Sequence, residues 1–162
     1  MTETQRKLEK VVRLAIKSFN DNESYLISRG LSERCICSKF AMYVERQVSS
    51  SEFRDFFVDV EYNRGAKGNE YLPKTIDDDR RIVVDLIVHK RSSDQNNEFR
   101  NLICIEIKKD TNREGLDDDK ERLKIMTDSY SYFKYELGFM IVANMKLHKL
   151  EINSTFVNEH SI

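Results

Sequence analysis

Two spacings of apolar residues alternate along the chain, and the switches between them mark its elements. From Glu3 to Phe19 the apolar positions Leu8, Val11, Val12, Ala15, Ile16 and Phe19 recur at helical spacing, which predicts a packing helix with a charged outer face. Asn20 to Asn22 predict its end, Ser24 to Ile27 a short apolar return, and Gly30 a turn. Ser32 suits the N-cap of a second helix running to about Val48, with Ile36, Phe40, Tyr43, Val44 and Val48 as its buried stripe. Phe56 to Arg64 switches to alternation: Phe56, Val58, Val60 and Tyr62 share one face against Phe57, Asp59 and Glu61 on the other. A strand follows from this, with Asp59 on a solvated face.

The middle of the chain holds its two most apolar extended runs, Arg81 to Arg91 (RIVVDLIVHKR) and Asn101 to Lys109 (NLICIEIKK). Both are rich in β-branched residues and apolar on both sides at their centres, the pattern of strands inside a covered sheet. The polar connection Ser92 to Arg100 predicts an antiparallel hairpin. Downstream, Thr111 to Gly115 reads as a turn and Asp117 to Asp119 as a helix start favoured by the helix dipole. That helix is expected to reach about Leu137, to bury Leu123, Met126, Tyr130 and Phe133, and to stop at Gly138. Phe139 to Asn144 reads as a strand buried on both faces and parallel to the Asn101 to Lys109 strand, because a helix connects them. Leu150 to Val157 predicts a last strand, and Gly65 to Asp79, with the single Pro73, a long polar loop. The order is helix, helix, strand, strand, strand, helix, strand: an α/β fold with a mixed four- to five-stranded sheet flanked by helices.

A chain of 162 residues fits one domain, here 1–162 with a core over about 32–144. An apolar fraction of 40% and a charged fraction of 34% describe a soluble globular protein with a charged exterior. No apolar run has the length of a membrane span and the polar start MTETQRKLEK is no secretory signal, so a cytoplasmic protein without membrane contact is expected. Cys35, Cys37 and Cys104 read as reduced thiols, because three cannot all pair and two lie in apolar patterns. A formal net charge of -1 gives no global attraction to nucleic acid, although basic residues cluster at Lys90 with Arg91, at Lys108 with Lys109, and at Arg34, Lys39 and Arg46. The NRGAKGNE segment lacks the Gly-Lys-Ser/Thr ending of a phosphate-binding loop, so no nucleotide cofactor is implied.

Candidate chemistry comes from register. In a symmetric hairpin Asp85 lies opposite Glu106, and directly opposed residues have Cβ atoms roughly 4.5 to 5.5 Å apart. Lys108 sits about 6.6 Å further along the same face as Glu106. Two carboxylates this close repel in a partly dry site unless a proton or a cation lies between them. Paired acidic oxygens suit a hard divalent cation such as magnesium, which keeps several waters and accepts one or two protein carboxylates. Such an ion acidifies bound water, and an ammonium beside it can orient that water or offset charge on phosphorus. The bland reading of Glu106 and Lys108 is a charge pair on a half-exposed strand. His89 could lie near these groups but lacks partners at metal-ligand spacing, and His148 and His160 read as surface residues.

Asp85 followed by Glu106-Ile107-Lys108 on the next strand resembles the D…ExK signature of the PD-(D/E)XK nuclease superfamily, the restriction endonuclease-like fold. DLIVHKR and NNEFRNLICIEIKKD resemble its small bacterial and phage-borne members. The resemblance implies an αβββαβ core with an extra helix in front. It also implies a Mg2+- or Mn2+-dependent endonuclease acting on DNA, working as a homodimer or within a larger complex. On that basis Asp85 and Glu106 are metal ligands, joined by the backbone carbonyl of Ile107, and Lys108 positions the attacking water. SERCICSKFAMYVE is similar to the family's first core helix, which makes Glu33 a further metal ligand, with Glu45 a second position; the structural explanation of Glu33 is its favourable place in the first helical turn. Lys90, Arg91, Lys109 and Lys120 are candidate nucleic-acid contacts. One departure is Val84, where the signature has proline, an exchange shared by many members. The alternative in a different class is a catalytically inactive nuclease-fold module with a binding or regulatory role in a defence or mobile-element system.

Overall fold

The computed structural model describes residues 1–61, 65–67, 70–72, 75–76, 80–91, 101–112 and 114–159, with the backbone alone over 65–81. Helix α1 spans Glu3–Ser28 and α2 spans Glu33–Ser49. α1 begins in a capping box: Thr2 Oγ1 accepts from the Gln5 N–H at 3.1 Å, and Gln5 Oε1 accepts from the Thr2 N–H at 2.8 Å. The break expected at Asn20 to Asn22 does not occur. Asn20 turns its amide to Leu150, donating to its carbonyl at 3.0 Å and accepting its N–H at 2.7 Å, while the Asn22 amide donates back to Ser18 O at 2.7 Å. Asn20, so engaged, no longer competes for the helix backbone, Asn22 bonds a carbonyl within the continuing helix, and the apolar stripe runs on to the buried Ile27. α2 is capped by Ser32, whose Oγ accepts from the Cys35 N–H at 3.2 Å.

After α2, β1 (Phe57–Val60) is shorter than the alternation suggested, and 62–64 lie outside the described residues. Where a loop was expected over Gly65 to Asp79, the backbone forms two short antiparallel pairs, β2 (Gly65–Lys67) with β3 (Glu70–Leu72) and β4 (Thr75–Ile76) with β5 (Arg80–Arg81), the last just beyond the expected loop. β6 (Leu86–His89) and β7 (Asn101–Lys109) follow, then α3 (Leu116–Thr127), β8 (Leu137–Asn144) and β9 (Lys149–Val157). The main sheet has five strands in the order β1-β6-β7-β8-β9; β7 and β8 are parallel and the other neighbours antiparallel.

Each face of the sheet is covered. Leu86, Val88, Ile103, Ile105, Ile107, Phe139 and Ile141 pack against α1 and α2, and Ile87, Cys104 and Met140 against Leu123 and Met126 of α3. Each such side chain, fully buried, contributes roughly 1.5 to 3 kcal/mol. α3 ends ten residues earlier than expected. The Asp128 side chain accepts from Tyr130 N and Ser131 Oγ accepts from Phe133 N and Lys134 N, turn chemistry that outweighs helical spacing. Tyr130 is therefore 87% exposed rather than buried, and Gly138 lies inside β8 rather than at a helix stop. Among the described residues no helix is long and apolar enough to cross a membrane. All three cysteines are free: Cys35 is exposed, and Cys37 and Cys104 are buried.

Candidate active site

Leu86 pairs with Ile105 and Ile87 with Cys104, so one step further along both strands sets Asp85 opposite Glu106, as the hairpin argument required. The register shifts at Val88 and His89, where His89 pairs with Asn101. The connection is therefore not symmetric, but the acids lie on the side of the shift where the expected register holds; residues 92–100 themselves are outside the described set. Asp85 is fixed through its backbone and its side chain alike. Its carbonyl accepts from Glu61 N at 3.0 Å and from Cys37 Sγ at 3.4 Å, and its Oδ2 accepts from the Ile107 N–H at 2.7 Å. Because N–H and C=O of one strand residue face the same strand edge, the Ile107 carbonyl also lies on the Asp85 side.

The pair is electrostatically unsettled. Glu106 is only 3% exposed, and burial first, then the charge of Asp85, push its carboxyl up to about 8 against the pull of Arg122. Burial likewise raises Asp85, opposed by the Ile107 N–H and by a hydrogen bond with Glu106. Burial, with the neighbouring charges of Asp85 and Glu106, holds the Cys37 thiol well above its ordinary value, so it is a neutral packing group and not a nucleophile. Two opposed acids in this condition hold a proton near neutrality, at a place where a cation's charge can substitute for it.

Lys108 and two residues of α3 complete the cluster. Burial works to lower Lys108, but the Asp119 carboxylate, followed by Glu33 and Asp85, outweighs it and holds the ammonium above its ordinary value. It is a fixed cation, suited to orienting a water or offsetting charge but not to accepting a proton. Its Nζ lies 3.1 Å from Asp119 Oδ2, off the hydrogen-bonding direction, so that buried oxygen has an ion-pair partner but no directed bond. Arg122 donates from Nε to Glu106 Oε1 at 2.9 Å and from Nη2 to Asp119 Oδ1. Gly115, just before α3, sits at φ 70°, the left-handed region that favours glycine, and a Cβ there would lie in ordinary contact 4.0 Å from Lys108 Nζ.

Glu33 reaches the cluster from its rim. Its Oε1 accepts from the Lys109 N–H at 3.0 Å and from Asn112 Nδ2 at 3.1 Å, tying α2 to the end of β7, and its Oε2 lies 4.0 Å from Lys108 Nζ. Glu45 is exposed and makes no contact with the cluster. Lys109 Nζ donates to Gly30 O at 2.9 Å, and Lys120 is half-buried on α3. Lys90 and Arg91 stand at the opposite end of β6 from Asp85, over the rings of Phe56 and Phe57 at 5.1 and 4.6 Å. Asp59 is not solvated there: it bonds His89 Nε2 at 2.8 Å and Arg91 Nε at 2.9 Å, which places His89 away from the acid pair.

In the sequence Asp119 stood out only through the resemblance, which sets it with Lys120 on the family's second core helix, and Arg122 did not stand out at all. A run of acids at a helix start, followed by Arg three residues on, reads as a solvated face. The available signal was spacing: Asp119, Leu123 and Met126 fall at i, i+4 and i+7, so Asp119 shares the stripe that those two bury.

Four carboxylates (Asp85, Glu106, Asp119, Glu33) face two cations (Lys108, Arg122), an excess of one negative charge while the acid pair holds its proton and of two once a cation displaces it. Among the described residues no group of three or more His, Cys, Asp or Glu side chains forms a ready cation cage, because Lys108 and Arg122 are interleaved with the acids. The arrangement fits an ion held by two protein carboxylates with water and main-chain or substrate oxygens completing its shell, the way magnesium binds, and does not fit an all-protein cage. Compared with known proteins, the chain matches no family model, no curated protein and no solved structure.

Proposed function

We propose that this chain is a nuclease of the PD-(D/E)XK, restriction endonuclease-like kind, hydrolysing phosphodiester bonds of DNA with Mg2+ or Mn2+. The observation that carries the reading is the directly opposed pair of half-buried Asp85 and buried Glu106, with the charged Lys108 two residues on. The element order from α2 to β8, namely helix, strand, strand, strand, helix, strand when the small pairs are set aside, supports it. Asp85 and Glu106 would hold the ion, with the Ile107 carbonyl on the same edge. A divalent cation there supplies acidification of water and neutralisation of phosphate charge. Lys108, protonated and fixed by Asp119, orients the water and offsets charge on the phosphate. Glu33, through Lys108 and the β7 backbone, holds that ammonium in place.

The test is cleavage of single-stranded, duplex and branched DNA by purified protein. Cutting is expected only with Mg2+ or Mn2+, and to fall at least a hundredfold, or about 2.7 kcal/mol of barrier, in Asp85→Ala, Glu106→Ala and Lys108→Ala variants that still fold. Metal-independent cutting, or unaltered cutting in these variants, overturns the reading. A catalytically inactive nuclease-fold module is favoured by one observation, the positive charge that Arg122 already brings to Glu106. Titration with Mn2+ separates the two, because a module relying on Arg122 for neutralisation binds no ion at the acid pair.

A further inference from the structure

Arg122 is a cation only partly used by the protein. A guanidinium carries several N–H donors, all in one plane and fixed in direction. Nε serves Glu106 and Nη2 serves Asp119, while Nη1 has no hydrogen-bond partner among the described residues. The Arg122 side chain is 28% exposed, whereas those of the acids it bonds, Glu106 and Asp119, are 4% and 5% exposed. Two of its nitrogens are therefore held by two buried acids, while the side chain as a whole stays partly open to solvent.

Asp119 adds a second constraint. One of its oxygens carries Arg122 and the other faces Lys108 Nζ at 3.1 Å, so a single buried carboxylate sets the spacing of two cations. Cations held this way lose little side-chain freedom when an anion arrives, which is the usual cost of recruiting long basic side chains to a ligand. Arginine in addition presents parallel donors matched to phosphate oxygens, where a lysine offers a point charge.

We infer that Arg122 is a substrate-binding residue, whose remaining N–H groups bond a non-bridging oxygen of the DNA phosphodiester at the acid pair, with Asp119 as the residue that positions it. The inference rests on the nuclease reading and names how that site holds the backbone. Such a contact recognises the phosphate without reading sequence.

The test compares Arg122→Gln and Arg122→Lys with Lys124→Ala, which removes a charge from the same helix at a side chain 63% exposed. Binding of a fluorescent duplex oligonucleotide is measured in Ca2+ over a range of salt, and Mn2+ binding is measured on the protein alone. For Arg122→Gln the expected result is at least a tenfold loss of oligonucleotide affinity, a salt slope shallower by about 0.9, and Mn2+ affinity equal to that of the unaltered protein or tighter. Arg122→Lys, which keeps the charge and guards against misfolding of the glutamine variant, recovers the slope but only part of the affinity. Lys124→Ala changes neither.

Oligonucleotide affinity and slope within twofold of the unaltered protein in Arg122→Gln, with Mn2+ affinity and melting temperature falling instead, reduce Arg122 to a buttress and overturn the inference. An equal slope change in Lys124→Ala does the same. In either case metal-dependent cleavage that disappears in Asp85→Ala leaves the nuclease reading standing. An unaltered protein that neither binds nor cuts the oligonucleotide overturns both.

Discussion

Replacing Glu106 by glutamine separates what the buried acid costs the fold from what it contributes to chemistry. Burial, and then the charge of Asp85, raise this carboxyl from 4.5 to about 8, with Arg122 opposing. A folded-state value above the unfolded one means that the folded chain holds the proton more tightly. The resulting stability is complete below about pH 4.5 and is lost as the pH rises through about 8. At about 1.4 kcal/mol per pH unit, that span corresponds to an upper figure of about 5 kcal/mol. Relaxation around a buried ion brings the effective penalty to several kcal/mol, and we take about 3 kcal/mol.

Glutamine keeps the shape and an oxygen that can accept the Arg122 Nε–H, but it cannot ionise. Glu106→Gln should therefore match the unaltered protein below about pH 5 and exceed its unfolding free energy by about 3 kcal/mol near pH 9, measured by urea denaturation with a chelator present. Mn2+ at about a hundred times its dissociation constant should return about 2.7 kcal/mol to the unaltered protein alone. A variant that is less stable by the same amount at every pH refutes the reasoning, since it would mean that Glu106 is ionised throughout and stabilised by Arg122.

Two further substitutions test the frame around the site. Asp59→Ala should lower stability by about 2 kcal/mol in denaturant titration, because it strips the buried His89 and the exposed Arg91 of a shared acceptor, while leaving cleavage unchanged at the opposite end of β6. Gly138→Ala should cost about 1 to 3 kcal/mol, since a Cβ there meets Thr127 Cγ2 at 3.1 Å and Cys104 Sγ at 3.3 Å. Thermal melting in a Thr127→Ser background, which removes that methyl group, should show a smaller loss; an undiminished one contradicts the steric account.

What the sequence determined by itself was local and periodic. Alternation placed Glu106 and Lys108 on one face of β7, the apolar centres of β6 and β7 put them inside a covered sheet, and the length of their connection brought Asp85 opposite Glu106 even though the pairing slips near His89. Ser32 was legible as a cap because capping depends only on neighbours along the chain. What only the tertiary structure decided depended on partners distant in sequence. Asn20 stays helical because Leu150 of β9 occupies its amide, and Asp59 is enclosed because His89 of β6 and Arg91 just beyond it reach across to β1. The stop of α3 at Thr127 is by contrast local, set by aspartate and serine turn bonds that compete with the helical pattern. Arg122 meets Glu106 only because α3 packs across that face of the sheet, and charged residues carry no periodic mark of which partner they will find. Periodicity fixes which way a side chain points, whereas the charge balance of a site is set by which elements fold against it.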